Sequence, residues 1–216
     1  MILAFLAAVA AQAAQPCPAG PTGAVCRALE AQAAGRHEAA ATEFEAVAAA
    51  ASGAERDRAL AAAGNMWIAA GQYGKAALAL DRALAGAGLQ AEQRGEALLD
   101  RARAAEGQND LKAARARADE AAAIIADDPF LWYFSAALAI REGDAGKAKD
   151  AIGRALTLAP DDALVLFEAG HVYHFAGDLP KARDYWTRAA AAEPDSPTGK
   201  AAKEALTLLD KPATPK

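Results

Sequence analysis

The chain has 216 residues, of which 54% are apolar and only 6% aromatic, and its formal net charge is −5. Lys and Arg alternate with Asp and Glu instead of forming a basic stripe, which argues against nucleic-acid binding. Alanine dominates the apolar residues and has the highest helix propensity. No segment alternates apolar and polar residues with β-branched enrichment, so the sequence predicts an all-α fold.

Residues 1–13 are typical of an export signal. An uncharged apolar run ends in Ala11-Gln12-Ala13, which fits the small-x-small pattern of signal peptidase cleavage, although no Lys or Arg precedes the run. The run is shorter than the roughly 20 residues that cross a bilayer comfortably. We predict an exported, periplasmic protein. The alternative is an uncleaved N-terminal anchor, with the rest of the chain facing the periplasm.

Both cysteines follow this signal. Cys17 lies in a leader segment, residues 14–20, and Cys26 lies at the start of the predicted helical region. In an oxidising compartment the two thiols are expected to form a disulfide. The alternative is two unpaired thiols. Their spacing is much wider than that of a catalytic CxxC pair, so redox chemistry is not predicted.

A 34-residue repeat organises the rest of the chain. Residues 129–162 and 163–196 align without gaps, and residues 95–128 extend the register with Asn109-Asp110 at the same turn. A glycine suits the left-handed end of a first helix, an aspartate caps the second helix, and a proline ends it. The aligned pairs are Gly143 and Gly177, Asp144 and Asp178, Ala148 and Ala182, and Pro160 and Pro194.

This pattern resembles the tetratricopeptide repeat (TPR) family, with a first helix (helix A) and a second (helix B) in each unit. The resemblance implies a right-handed, α-α superhelical solenoid of about five helix pairs. An amphipathic segment at 197–210, with Leu208 and Leu209 on its apolar face, is the expected capping helix. Residues 211–216 are expected to be disordered. The units lie near 21–54, 57–90, 95–128, 129–162 and 163–196.

In TPR proteins the A helices line a concave groove, and ligand contacts come from fixed positions of each repeat. Carried over, the resemblance implies a groove that is polar in the middle and aromatic towards the C-terminal end. The alternative for that end, above all for Leu164 and Phe175, is packing under the capping helix. The implied groove residues are Arg103, Phe130, Tyr133, Ile140, Arg141, Phe167, His171 and His174.

His171 and His174 share one helix face, which raises the question of a metal site. A catalytic zinc needs a third protein ligand. Glu168 is expected to be rotated away from His174, and His37 lies several repeats away. No nucleophile arrangement, phosphate-binding loop or pair of catalytic carboxylates is present either. We therefore predict no enzyme, no metal site and no cofactor.

The predicted function is a protein-interaction scaffold in the cell envelope that binds a peptide or partner helix in the concave groove. One alternative is self-assembly into a structural homo-oligomer. A second is a histidine-based metal-binding or enzymatic role, which the missing third ligand argues against. Neither a nucleic acid nor a small-molecule substrate is predicted as a partner.

Overall fold

The computed structural model describes residues 17–211, so the predicted signal peptide and nearly all of the predicted tail lie outside the described residues. Within this range the chain is all-helical, which confirms the predicted fold class. No helix among these residues is both long and apolar enough to cross a bilayer. After a 3-10 turn at Pro21–Gly23 the helices are α1 Ala24–Ala33, α2 His37–Ala50, α3 Gly53–Ala69, α4 Tyr73–Ala85, α5 Ala91–Gly107, α6 Leu111–Ala122, α7 Pro129–Arg141, α8 Ala145–Leu158, α9 Ala163–Phe175, α10 Leu179–Ala192 and α11 Pro197–Leu209.

The odd-numbered helices α1 to α9 are the A helices, and each is followed by its helix B across a tight turn. Every turn contains one residue in the left-handed backbone region. Glycine occupies it in four of the five turns, at φ between 69° and 79°, and Asn109 occupies it in the third at φ 62°. Asparagine tolerates this conformation because its short polar side chain bonds locally. The four glycines are Gly35, Gly71, Gly143 and Gly177.

Aspartates cap the last three B helices, as predicted. Each carboxylate accepts a hydrogen bond from the backbone N–H three residues later, which satisfies a donor that the helix itself leaves free. In the first two pairs Arg36 and Gln72 stand at this position and make no side-chain cap. The capping bonds run from Ala113 to Asp110 at 3.0 Å, from Lys147 to Asp144 at 2.9 Å and from Lys181 to Asp178 at 3.2 Å.

The two helices of each pair meet over small residues. Two of these positions are glycines that leave no room for a side chain: a Cβ at Gly64 would overlap Leu80, and a Cβ at Gly170 would overlap the indole of Trp186. Small residues therefore set the distance between paired helices. The fully buried alanines at these positions are Ala28, Ala102 and Ala136 of the A helices, and Ala40, Ala76, Ala114, Ala148 and Ala182 of the B helices.

Helix α11 covers the C-terminal end of the solenoid. Ala202 is fully buried, and Leu206 and Leu209 pack against the cluster that contains Trp186. The expectation that Leu208 lies on the apolar face is wrong, because its side chain is 63% exposed. The buried face of α11 is rotated from the predicted one, so that Leu206 occupies the place given to Leu208.

At the other end, the leader segment is attached to the first helix pair. Cys17 and Cys26 are joined in a disulfide with their Cα atoms 5.6 Å apart. Arg27 donates hydrogen bonds to the carbonyl oxygens of Pro18 and Gly20, at 2.8 and 3.1 Å. The same guanidinium binds both carboxylate oxygens of Glu43 on α2. One arginine thus links the leader, α1 and α2.

Non-reducing peptide mapping of the protein purified from the compartment it occupies should show Cys17 and Cys26 in one cross-linked fragment. Alkylation under denaturing, non-reducing conditions should then label neither residue. Two alkylated thiols would contradict both the pairing and the oxidising location that favours it.

Replacing Gly170 by Ala should destabilise the solenoid by about 1–3 kcal/mol, because the added methyl group overlaps the Trp186 indole. Gly153→Ala is the matched control, since a Cβ at this exposed site in α8 meets nothing within 4 Å. It should instead stabilise the protein by about 0.5–1 kcal/mol through helix propensity. Urea unfolding of both variants measures the difference, and equal effects would show that Gly170 does not control the helix distance.

Candidate functional site

Three adjoining cavities open along the side of the solenoid formed by the A helices. The first, about 550 Å³, lies mainly between α3, α5 and α7; the second, about 340 Å³, lies between α5 and α7; the third, about 660 Å³, lies between α7 and α9. Arg103 and Phe130 line both the first and the second, and Ala137 lines both the second and the third. Because they share walls, the three cavities form one continuous groove, and we use "groove" for them together.

The structure brings most of the residues implied by the TPR resemblance to this groove. Phe167 is the exception. It packs, half-buried, against the cluster around Trp186 that also receives Leu206 and Leu209 of the capping helix. Phe175, for which packing under the cap was the alternative, is 41% exposed and lines the third cavity. The implied residues that line the groove are Arg103, Phe130, Tyr133, Ile140, Arg141, His171 and His174.

In the middle of the groove, polar and aromatic contacts join side chains of α3, α5 and α7. Asp100 on α5 accepts hydrogen bonds from Asn65 on α3 and from Arg103, each at 2.8 Å. The guanidinium of Arg103 lies 5.5 Å from the ring centre of Phe130, which in turn lies 5.2 Å from the ring of Tyr133. Burial raises the pKa of Asp100, and its bonds to Asn65 and Arg103 act in the opposite direction.

Arg141 is bound within the chain and is not a free cation at the rim. It forms an ion pair with the carboxylate of Glu106 and donates to the Glu106 carbonyl at 3.1 Å. It also donates to the side chain of Asn109 at 2.8 Å. The arginine therefore joins α7 to the end of α5 and the following turn. Its positive charge is neutralised before any ligand arrives.

Two acidic side chains that line the groove make no hydrogen bond or ion pair with any residue in 17–211. Glu96 lines the first cavity. Burial raises its pKa, and the neighbouring carboxylates of Glu92, Asp100 and Asp128 raise it further. The second is Glu168 on α9, which lines the third cavity with a side chain buried to 8% exposure. Burial raises the pKa of Glu168 to about 8.

The two histidines of the third cavity lie against aromatic rings. His171 is half-buried, with its ring centre 4.6 Å from that of Phe167 and 5.3 Å from that of Trp186, both edge-on. Burial lowers the pKa of His171, and the proximity of His174 adds to the effect. His174 is exposed, with its ring 5.6 Å from Trp186. Both rings are therefore available for contact with a ligand, and His171 is biased towards its neutral form.

The ligand atoms of Glu168, His171 and His174 do not converge on one point. Across residues 17–211 a single group of three His, Cys, Asp or Glu side chains has its ligand atoms within 4.8 Å of one another. That group is Cys17, Cys26 and Glu30, and its two sulfurs are already bonded to each other. Since a thiolate is the metal ligand, a disulfide does not suit a metal ion.

Sequence reasoning missed the charge pairing of the groove. Asn65 and Asp100 are 35 residues apart, and so are Glu106 and Arg141. Glu106 and Arg141 occupy the twelfth and thirteenth positions of successive units, whereas Asn65 and Asp100 occupy the ninth and sixth positions, because residues 91–94 lie between their units. A search for complementary polar residues at this spacing would have found both contacts. It would also have matched Glu168 with Lys203, which instead donates to the carbonyl of Pro194.

No protein family model matches the chain, and no curated protein matches it. Solved structures do. A tetratricopeptide repeat protein from Parabacteroides merdae is 18% identical, with 89% of this chain and 72% of that chain covered and a TM-score of 0.68. YrrB, described as a TPR protein with an unusual peptide-binding site, is 19% identical over 86% and 92% of the two chains, with a TM-score of 0.59.

The fold is that of a tetratricopeptide repeat solenoid. A third structure with this fold is PilW, described as a widely conserved type IV pilus biogenesis factor. It is 16% identical over 84% of this chain and 82% of that chain, with a TM-score of 0.69. At these identities the likeness is one of architecture, and the chemistry of the groove has to be derived from the residues of this chain.

The buried carboxyl of Glu168 should make the solenoid less stable as the pH rises. Its pKa is about 8 in the folded protein and 4.5 as the ordinary value, so the folded state binds more protons between these limits. Stability is therefore lost progressively from about pH 4.5 to pH 8. Between about pH 5 and pH 8 the wild type should lose on the order of 3 kcal/mol of unfolding free energy through this group. The Glu168→Gln variant should not show that loss.

Urea unfolding of the two proteins at several pH values measures this difference. Comparison with the variant is needed because His171 acts in the opposite direction: its lowered pKa adds stability as the pH rises towards 6.5. The histidine is present in both proteins and cancels. Parallel stability curves would contradict the raised pKa of Glu168.

Proposed function

We propose that this protein is an interaction scaffold that binds a peptide segment or partner helix in the groove, mainly at the end formed by α7 and α9. The observation that carries the proposal is the third cavity, where apolar and aromatic groups remain open beside polar groups. Phe175 is 41% exposed there, His174 is exposed, and Ile140 lies at the same wall. Exposed aromatic and apolar groups with a polar rim are typical of interaction sites.

The groove is a better site for a chain segment than for a small molecule. It is continuous across α3, α5, α7 and α9, whereas small-molecule sites are usually enclosed clefts that bury most of the ligand. A peptide or helix can contact several repeats at once, as in groove recognition generally. YrrB, which shares the solenoid fold, is described as having a peptide-binding site. That description supports the same class of ligand here.

We further propose that the scaffold works in the cell envelope. The support is the sequence of residues 1–13, which fits an export signal, together with the paired Cys17 and Cys26, which suit an oxidising compartment. The description of PilW as a pilus biogenesis factor is compatible with this location. A scaffold of this kind needs no catalytic group and no cofactor.

In-cell photo-crosslinking tests compartment and partner together. A photoreactive residue at position 174, in the groove, should give a defined adduct that mass spectrometry assigns to an envelope protein. The same residue at position 78 is the control, because Leu78 on α4 is 68% exposed and lies outside the groove. Equal adducts from both positions would contradict groove binding. An adduct of this chain with itself would support self-assembly instead.

The double variant His174→Ala, Phe175→Ala should weaken capture of that crosslinked partner by at least about tenfold, because both side chains are exposed in the third cavity. Its helix content and unfolding midpoint should change little. Leu78→Ala removes a comparable exposed apolar side chain elsewhere and should leave capture unchanged. Phe167 is unsuitable for this test, since its packing against the Trp186 cluster makes its removal a change to the fold. Undiminished capture by the double variant would refute the proposed site.

A further inference from the structure

Glu168 is unusual among the charged side chains of this protein. It is 8% exposed, it lines the third cavity, and it has no hydrogen bond or ion pair with any residue between 17 and 211. The other deeply buried acid, Asp57, has two partners: Arg56 donates to it at 2.9 Å and the backbone of Gly88 donates at 3.0 Å. The carboxyl oxygens of Glu168 are open to the cavity, since His37 Nδ1 is the only enclosed side-chain N or O atom without a hydrogen bond among residues 17–211. A carboxyl that is largely removed from water and has no partner in the chain is costly.

The groups around Glu168 do not supply the missing partner. From α7, Arg141 lines the same cavity, but its guanidinium is held by Glu106 and Asn109. Burial raises the pKa of Tyr133, also on α7, and the negative charge of Glu168 raises it further. From α9 itself, His171 and His174 face the cavity. Helices α8, α10 and α11 contribute no titratable side chain to its lining.

We propose that Glu168 determines the specificity of the groove by pairing with a lysine or arginine side chain of the bound segment. The inference rests on the proposed function, since it names the ligand chemistry of the same groove. Ile140 and Phe175, which line the same cavity, lie where the aliphatic part of such a side chain can pack. A charge-assisted hydrogen bond is about twice as strong as a neutral one.

The charge of the third cavity supports a basic side chain of the ligand over a neutral or acidic one. The other unpaired acid of the groove is Glu96 in the first cavity, near the carboxylates of Glu92, Asp100 and Asp128. That cavity is also lined by Arg58, a cation with no hydrogen bond or ion pair to residues 17–211, so the preference for a basic side chain is confined to the third cavity. Arg141 and Arg103, two cations near the predicted contacts, are both neutralised by acids of this chain. A ligand cation in the third cavity would therefore meet a carboxyl that can ionise to complement it, whereas a ligand carboxylate would find no unpaired Lys or Arg among the described residues there.

Selection from a random peptide display library on the purified protein tests the inference. Peptides bound by the wild type should carry Lys or Arg at one fixed position, next to apolar or aromatic residues. Selection on Glu168→Gln should lose the basic position and keep the apolar preference. Glu204→Gln, at an exposed acid on the capping helix, is the matched control and should select the same peptides as the wild type.

The other outcomes distinguish the role of Glu168 from peptide binding by the groove. Wild-type binders without a basic position would refute the role of Glu168 and leave peptide binding intact. A basic position that survives in Glu168→Gln would refute the assignment to this residue. No enrichment on the wild type would refute both the inference and the proposed groove function.

A double-mutant cycle with one selected peptide then measures the pair. Replacing the peptide's basic residue by norleucine, or Glu168 by Gln, should each weaken binding by at least about tenfold, and the two changes together should cost little more than one. Additive losses would show that the two groups do not contact each other.

Proton release gives an independent readout of the same contact. With a pKa of about 8, Glu168 is mostly protonated at pH 7, so pairing with a cation expels its proton. Binding of the selected peptide should therefore tighten as the pH rises to about 8 and should release close to one proton. Titration calorimetry in two buffers of different ionisation enthalpy measures this release. The same titration of Glu168→Gln, which keeps Tyr133, Arg141, His171 and His174, should lack that contribution; equal release by both proteins would refute the pairing.

Discussion

The close approach of each helix A to its helix B is the constraint on which the rest of the molecule depends. It is set by alanines that are completely buried and by two glycines that leave no space for a Cβ. Gly170 shows how far the effect reaches. Because this residue has no side chain, the Trp186 indole lies directly against α9 and donates to the carbonyl of Phe167 at 3.2 Å. The same indole supports the rings of His171 and His174. The absence of one methyl group thus positions the two histidines that line the third cavity.

Within each pair, small residues set the distance between the two helices. Between repeats, polar side-chain contacts join one helix pair to the next. Asn65 and Asp100 join α3 to α5, and Arg141 joins α7 to Glu106 at the end of α5. On the other helices, Arg115 of α6 binds Glu142 at 2.8 Å and the hydroxyl of Ser135 at 2.7 Å. These contacts fix the angle between successive units and also use most of the charge that faces the groove. The charged side chains of the groove left without a partner in residues 17–211 are the acids Glu96 and Glu168 and the cation Arg58 of the first cavity. Among the described residues, the third cavity therefore has an unpaired acid with no unpaired Lys or Arg beside it.

The sequence predicted the structural role of a residue correctly where that role depends only on contacts within the residue's own repeat. Left-handed glycines, capping aspartates and buried alanines recur at equivalent positions of most repeats, because each unit has to end one helix, turn the chain and pack a second helix against the first. The sequence did not predict the packing of side chains that contact a neighbouring repeat or the capping helix. The packing of Phe167 and the exposure of Leu208 are set by the angle of α11, which has no counterpart in the other repeats. The pairing of Arg141 likewise depends on a side-chain conformation that reaches into the preceding repeat.

Glu168 shows the same division between scaffold and site. Its neighbours Ala169 and Gly170 are buried in the helix contact, whereas the carboxyl of Glu168 bonds to no residue that the structure describes. The solenoid would be served equally well there by glutamine, which carries no ionisation cost. A residue that lowers stability without improving packing is typical of a functional position. The proton on this carboxyl removes the penalty of a buried charge, and in the proposed complex the cation of the ligand would take over that role when the proton leaves. The affinity of the groove should therefore depend on the pH of its compartment, because the ligand and the proton compete for one oxygen pair.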